Sequence, residues 1–250
     1  MNYPEYLKVN ELLTLQQPKS KEHDEMLFIL IHQTYELWFK QVLHELDFLK
    51  ISLVQGNIPK SLHTLKRTLT ILKTLVGQVD ILETMTPLEF KSFRNRLDTA
   101  SGFESAQFRE IEFVLGYKRE NLIHIHDEIS KQKLKARLET PSIWSDFLSL
   151  VATENYTINP QWQSDPHYQD DQLEALLIEI YQHNFPLSQI CELLVDLDEG
   201  LQEWRYRHVK MVQRTIGTKM GTGGSSGAEY LTKTLFKPLF PSLWNIRAKL

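Results

Sequence analysis

The stretch HDEMLFILIHQTYELWFKQVLHELDFLKISL (residues 23–53) contains neither proline nor glycine. Two lanes of period seven run along it: Phe28, Tyr35, Val42, Leu49 and His32, Phe39, Leu46, Leu53. Residues three, four and seven apart share a helix face, so the spacing predicts one long amphipathic helix with a core-facing stripe. Gly56-Asn57-Ile58-Pro59 ends it, because proline cannot continue the hydrogen-bond ladder and glycine tolerates unusual backbone angles. Residues 187–216 repeat the pattern, with lanes Ile190, Leu197, Trp204, Met211 and Leu194, Leu201, His208, Thr215, and Gly200 weakens the middle without breaking the register. Further helices are predicted over Ser61–Leu82, from Pro87 onward, and near 103–116, 142–153 and 171–184. The polar, turn-rich segment 153–171 reads as a surface excursion. No strand pair, internal repeat or clean linker interrupts the pattern, so residues 1–250 are expected to form one all-α domain of long antiparallel helices.

Composition narrows the function classes. A formal charge of −4 over 250 residues gives no global pull toward nucleic acid or anionic membrane. No run of about 18 apolar residues is present, as a membrane-spanning helix would need. The opening MNYPEYLKVNELL lacks a basic region followed by an apolar core, so no export signal is expected. A single cysteine, Cys191, rules out an intrachain disulfide framework and a multi-cysteine zinc site. A cytoplasmic location is the expectation.

Chemistry enters with His32 and His208, each in an inward lane where leucine would bury better. One reading is a core histidine with its ring nitrogens hydrogen-bonded. The other is a cofactor site between the two longest helices, since bundles host haem and metals there and haem iron often takes one histidine. A bare metal ion lacks ligands: His23, Asp24 and Glu25 point to different sides of a helix, His124 and His126 splay apart, and His44-Glu45 is not followed by the second histidine of HExxH. Arg94 is the other candidate. It is either a solvated helix-surface arginine or a planar fork for a substrate carboxylate, with Phe90 one turn earlier as an apolar wall.

Five of the ten glycines lie between Gly217 and Gly227, around GTGGSSG (221–227). A phosphate-cradling loop, an idle linker and a mobile flap over a buried site compete for it. The phosphate reading fails, because the GK[ST] ending and the G-x-G-x-x-G spacing are missing and the stretch follows a helix instead of a strand.

Three blocks, HDEMLFILIHQTYELWFKQVLHELD (23–47), FRNRLDTASGFESAQFREIEFVLG (93–116) and WRYRHVKMVQRTIGTKMGTGGSSGAEYL (204–231), resemble the signature blocks of the tryptophan 2,3-dioxygenase family. The terminal segments YPEYLKVNELLTLQQP and FPSLWNIRAKL resemble the family's ends, so the likeness spans nearly the whole chain. The resemblance implies an all-α enzyme enclosing a b-type haem. Its substrates would be L-tryptophan and O2, its product N-formyl-L-kynurenine, the first step of the kynurenine route. It further implies a homotetramer arranged as a dimer of dimers. His208 would be the axial ligand of the haem iron, and His32 would accept a hydrogen bond from the indole N–H. Phe28, Ile29, Leu30, Ile31 and His32 match the substrate-contacting segment. Phe90 stands where some members carry tyrosine, Arg94 matches the arginine for the substrate carboxylate, and Thr222 the threonine for its amino-acid end. Tyr3 and Tyr6 fall in a segment, 1–20, that reaches a neighbouring subunit's pocket. The stretch 217–227 then reads as a substrate lid. Glu104 and Asp98-Thr99 depart from common family residues and bear on fine specificity. A haem enzyme that monooxygenates a tryptophan or indole derivative is the alternative activity, and a haem sensor or carrier without turnover is a third reading.

Overall fold

The computed structural model describes residues 1–98, 100–222 and 227–250, and among them there are helices and no strand. The order is α1 (Tyr3–Leu7), α2 (Val9–Leu12), α3 (His23–Val54), α4 (Ile58–Leu82), α5 (Pro87–Arg94), α6 (Ala106–Val114), α7 (Glu128–Glu139), α8 (Ile143–Thr153), α9 (Pro160–Ser164), α10 (Asp171–His183), α11 (Phe185–Ile216), α12 (Ala228–Thr232) and α13 (Pro241–Asn245). Short 3-10 turns at Gly102–Glu104, Glu120–Ile125 and Ile246–Ala248 complete it.

The two long periodic stretches are the helices α3 and α11, both unbroken, and with α4 they form the centre of a core that α8, α10 and the C-terminal segment complete. The helix starts follow from local chemistry. Asn57 accepts from the Lys60 amide at α4, Asn184 from the Leu187 amide at α11, and proline sits in the first turn of each. Thr86 and Glu89 make a reciprocal capping box at α5. Both lanes of α3 are buried from Tyr35 onward, with Leu46 and Leu49 inaccessible. Each such leucine contributes about 1.5–3 kcal/mol by leaving water.

Contact partners fix the helix directions. Tyr35 donates to the Leu75 carbonyl while Arg67 reaches back to Glu45, so α3 and α4 are antiparallel. Leu72 lies beside Gly200, Asp80 pairs with Arg207 and Glu83 with Arg214, so α4 and α11 run the same way. Among the three longest helices, α3 is therefore antiparallel to α4 and α11, and those two are parallel to each other. The long chain excursion between α4 and α11 lets α11 enter from the opposite end, which a hairpin would not.

Two segments differ from the sequence reading. The excursion 153–171 is pinned to the core: Trp162 is buried, its indole N–H donates to Asp170, and its carbonyl accepts from the Trp144 indole. A large aromatic ring outweighs the polar turn residues around it. Helix α7 has no apolar stripe and buries Leu134 alone. It is held instead by Arg137 on Asp47 and Glu110, by the Asp127 N-cap, and by Lys118 donating to the Leu138 and Thr140 carbonyls at its C-terminal end.

Candidate active site

His32 lies near the start of α3 and His208 near the end of α11. Since these helices are antiparallel, the two histidines come to the same end of the bundle. Both lanes that are sealed lower down become half-buried there, and a cavity opens between α3, α5, α11 and the segment 100–112. Its inner wall is aromatic. Trp204 packs against Phe108 at 4.7 Å between ring centroids, against Phe39 at 6.1 Å and against Tyr35 at 6.4 Å.

The two histidines are held in different ways. The His32 Nδ1–H donates to the Phe28 carbonyl one turn back, at 2.7 Å. A carbonyl can only accept, so in the neutral ring Nε2 carries the lone pair. Burial pushes the His32 pKa down, against the opposing pull of the Phe28 carbonyl and the Glu36 carboxylate. His208 stacks on Trp204 at 5.1 Å and 28°, and burial, with His32 nearby, pushes its pKa down to about 4. Both rings are therefore neutral at pH 7, as a metal ligand and a hydrogen-bond acceptor require.

An apolar wall stands beside His32. The Phe28 ring lies 4.2 Å from it, with Phe90 at 5.8 Å and Phe93 at 5.7 Å from Phe28 in turn. Phe90 and Phe93 are spaced three apart on α5, which carries Arg94 at its C-terminal end. Arg94 lines the cavity, and its guanidinium donates to the Met220 carbonyl. Thr222 lines it too, and its hydroxyl donates to the Ala100 carbonyl at 2.7 Å. These two bonds hold the first stem of the glycine stretch against the segment 94–100. Of the stretch 217–227, residues 223–226 lie outside the described residues, as does Thr99.

A charged cluster that the sequence pattern does not announce completes the cavity. Glu112, 1% exposed, accepts from three guanidinium groups: Arg109 on its own helix, Arg119 at 2.7 and 2.9 Å, and Arg205 at 2.9 Å. All four residues line the cavity. Three positive charges face one negative charge, and the buried Nε atoms of Arg109 and Arg119 have no hydrogen-bond partner among the described residues. Burial pulls the Arg109 pKa down, Glu112 opposes this and the Arg119 charge adds to it, whereas Glu112 outweighs burial at Arg119 and raises its pKa. Such a cluster is one or two anions short of balance. In sequence, Arg109 and Glu112 look like an ordinary i, i+3 surface pair. The available signal was that α6 carries them within a run of buried residues from Arg109 to Val114.

Of Phe28, Ile29, Leu30, Ile31 and His32, the first and last line the cavity, because positions four apart share a face. Ile31 faces the core, and Leu30 is 41% exposed on the opposite side. Tyr3 and Tyr6 lie on α1, fully outside the cavity and exposed, at 73% and 72%. Glu104 is exposed at the end of the 3-10 turn that carries Phe103 into the cavity wall.

A sequence model of the family described as tryptophan 2,3-dioxygenase matches residues 1–151 and 165–250, passing over the segment that contains α9. The chain is 53% identical over 257 residues to a tryptophan 2,3-dioxygenase of Herpetosiphon aurantiacus, covering 100% of this chain and 98% of that protein. It is 48% identical over 255 residues to one of Anaeromyxobacter sp. (100% and 96% covered). It is 41% identical over 261 residues to one of Bacillus thuringiensis subsp. konkukian (100% and 93% covered).

Proposed function

The chain belongs to the tryptophan 2,3-dioxygenase family, and on that premise we propose that its cavity opens the indole ring of L-tryptophan with O2 to give N-formyl-L-kynurenine. The observation that carries this is one cavity holding two neutral histidines on facing helices, an aromatic wall and an arginine at its mouth. The family's chemistry is haem-dependent.

The residues present fit such a group. His208 offers a neutral ring nitrogen, stacked and oriented by Trp204, that would hold the iron of a haem b. A haem b carries two carboxylates, and the three arginines around Glu112 supply two positive charges in excess of it. Arg109, Arg119 and Arg205 would hold those acid groups, and the orphaned Nε atoms would gain acceptors. When bound, the haem supplies O2 activation, which no side chain can do.

The rest of the reaction is this chain's work. His32 Nε2 accepts the indole N–H and so fixes which edge of the ring faces inward. A site built around that bond rejects phenylalanine, which leaves the acceptor unpaired. Phe28 and Phe90 form the apolar wall against which the indole ring packs. Arg94 exchanges the Met220 carbonyl for the substrate carboxylate, and Thr222 moves from the Ala100 carbonyl to the amino-acid end. We assign 217–227 as the lid that closes over the substrate and excludes water.

The N-terminal arm supports a multi-subunit enzyme. Glu25 accepts from the Lys19 and Ser20 amides, and Gln33 binds Gln16 and the Leu15 carbonyl, so residues 15–20 are tied to α3. Beyond them α1 and α2 bury nothing, and Tyr3, Tyr6 and Leu13 stand exposed. We propose that this arm, within 1–20, covers a neighbouring subunit's pocket in a homotetramer in the cytoplasm. No helix among the described residues is long and apolar enough to cross a membrane.

The test is purified ferrous protein with L-tryptophan in air. A Soret band and a product two oxygen atoms heavier than tryptophan are expected. One added oxygen would favour monooxygenation, and full haem loading with no turnover would favour a sensor. His208→Ala should abolish haem retention. Arg94→Ala should raise KM by about tenfold or more, with kcat less affected.

A further inference from the structure

We propose that Tyr230 is a positioning residue: its hydroxyl couples the arginine cluster to the return stem of the glycine stretch and so sets how tightly the substrate is held. The inference rests on the function proposed above. Tyr230 lies on α12, three residues after Gly227. Its hydroxyl accepts from Arg119 Nη1 at 2.7 Å, while Arg119 Nη2 serves both oxygens of Glu112. Its ring meets Phe103 edge-on, at 5.1 Å and 90°. Phe103 belongs to the segment whose Ala100 carbonyl takes the Thr222 hydroxyl. The outgoing stem at Thr222 and the return stem at Tyr230 are therefore fastened to the same short segment, 100–103.

The neck between the stems is tight. Gly227 has φ +61°, and a Cβ there would meet the Lys219 carbonyl oxygen at 2.7 Å and the Gly221 amide nitrogen at 3.5 Å. Only glycine fits, on both backbone angle and space. With the neck fixed, a shift of α12 carries Thr222 with it. Tyr230 is the described side chain that hydrogen-bonds this helix to the arginine cluster, so an anion seated among Arg109, Arg119 and Arg205 and a closed substrate stem favour the same Arg119 rotamer. Tyr230 lines the cavity with its hydroxyl committed to Arg119, so its effect is transmitted through Arg119 and the stem.

The experiment uses haem-loaded enzyme. Tyr230→Phe keeps the ring contact with Phe103 and deletes the acceptor for a charged donor. Haem content and Soret position should match the wild type, KM for L-tryptophan should rise about tenfold, and kcat should change by less than about threefold. L-tryptophan should slow tryptic cleavage after the exposed Lys219 in the wild type and do so at least about threefold less well in Tyr230→Phe. Gly227→Ala, which opens the neck directly, should reproduce the KM effect. A merely structural role would instead lower haem content, kcat and thermal stability together, and that result overturns the inference. So does a wild-type KM with wild-type protection by tryptophan. A wild type that binds haem without turning over tryptophan would sink the proposed function first, which separates the two failures.

Discussion

Two buried carboxylates of the chain are treated in opposite ways. Asp198, on α11, is fully buried and takes only neutral donors: the Leu239 and Phe240 amides and the Trp244 indole on one oxygen, Gln202 on the other. Glu112, on α6, is equally buried and takes three guanidinium groups. Asp198 is saturated by what the chain itself provides, and it fastens the C-terminal segment over α11. Around Glu112 the cations exceed the carboxylate, and two of their nitrogens are left over. Saturation marks a joint. Excess charge beside a cavity marks a place for something else.

The largest effect should come from breaking the joint. Asp198→Ala strands at least three donors in a dry core and should cost about 3–5 kcal/mol in urea unfolding, equally with and without haem. Glu112→Gln should behave differently. It leaves three cations facing one another, at about 3 kcal/mol in the haem-free protein, but haem should restore most of that because its acid groups replace the missing charge. Equal losses in both states would erase the distinction between the two sites.

The cavity half should also be the acid-sensitive half. His208 is held neutral, with its pKa pushed down to about 4 by burial, while an unfolded histidine titrates near 6.5. Between those values the unfolded chain binds the proton and the folded chain does not, so stability is complete above about pH 6.5 and falls as pH drops toward 4. The haem-free protein should lose about 3 kcal/mol from this residue over that window. His208→Leu should flatten the profile, as followed by chemical denaturation at several pH values. An unchanged slope would mean the ring is not dry.

A smaller effect sharpens the same contrast. Arg109→Gln reduces the charge excess from two to one. Haem dissociation, measured by transfer to a competing haem-binding protein, should accelerate about tenfold, the value of one charge-assisted hydrogen bond. Stability of the haem-free protein should hold or rise slightly, since burial and Arg119 already work against the Arg109 charge.

These two sites also mark where sequence reading succeeds and stops. The lanes of α3 and α11 are legible because one helical period persists along each of two unbroken 32-residue helices, and they carry His32 and His208 into view. Arg94 stays ambiguous in the sequence, because its partner carbonyl at Met220 lies 126 positions away. The arginine cluster is invisible for the same reason: Arg119 and Arg205 reach Glu112 only once α6, its following loop and α11 are packed together. Helix α7 escapes because ion pairs, not an apolar stripe, hold it in place.

The smallest prediction tests the idea of saturation directly. Trp244→Phe keeps an aromatic ring beside Asp198 and removes one of its N–H donors. The carboxylate retains the Leu239 and Phe240 amides and the Gln202 side chain, so it stays paired and dry. The loss should be about 1 kcal/mol, the net value of one hydrogen bond, far below the cost of removing the acceptor itself. A loss as large as that of Asp198→Ala would mean the indole N–H carries the joint alone. In that case Asp198 would be one donor short in its absence, and the contrast with Glu112 would be one of degree.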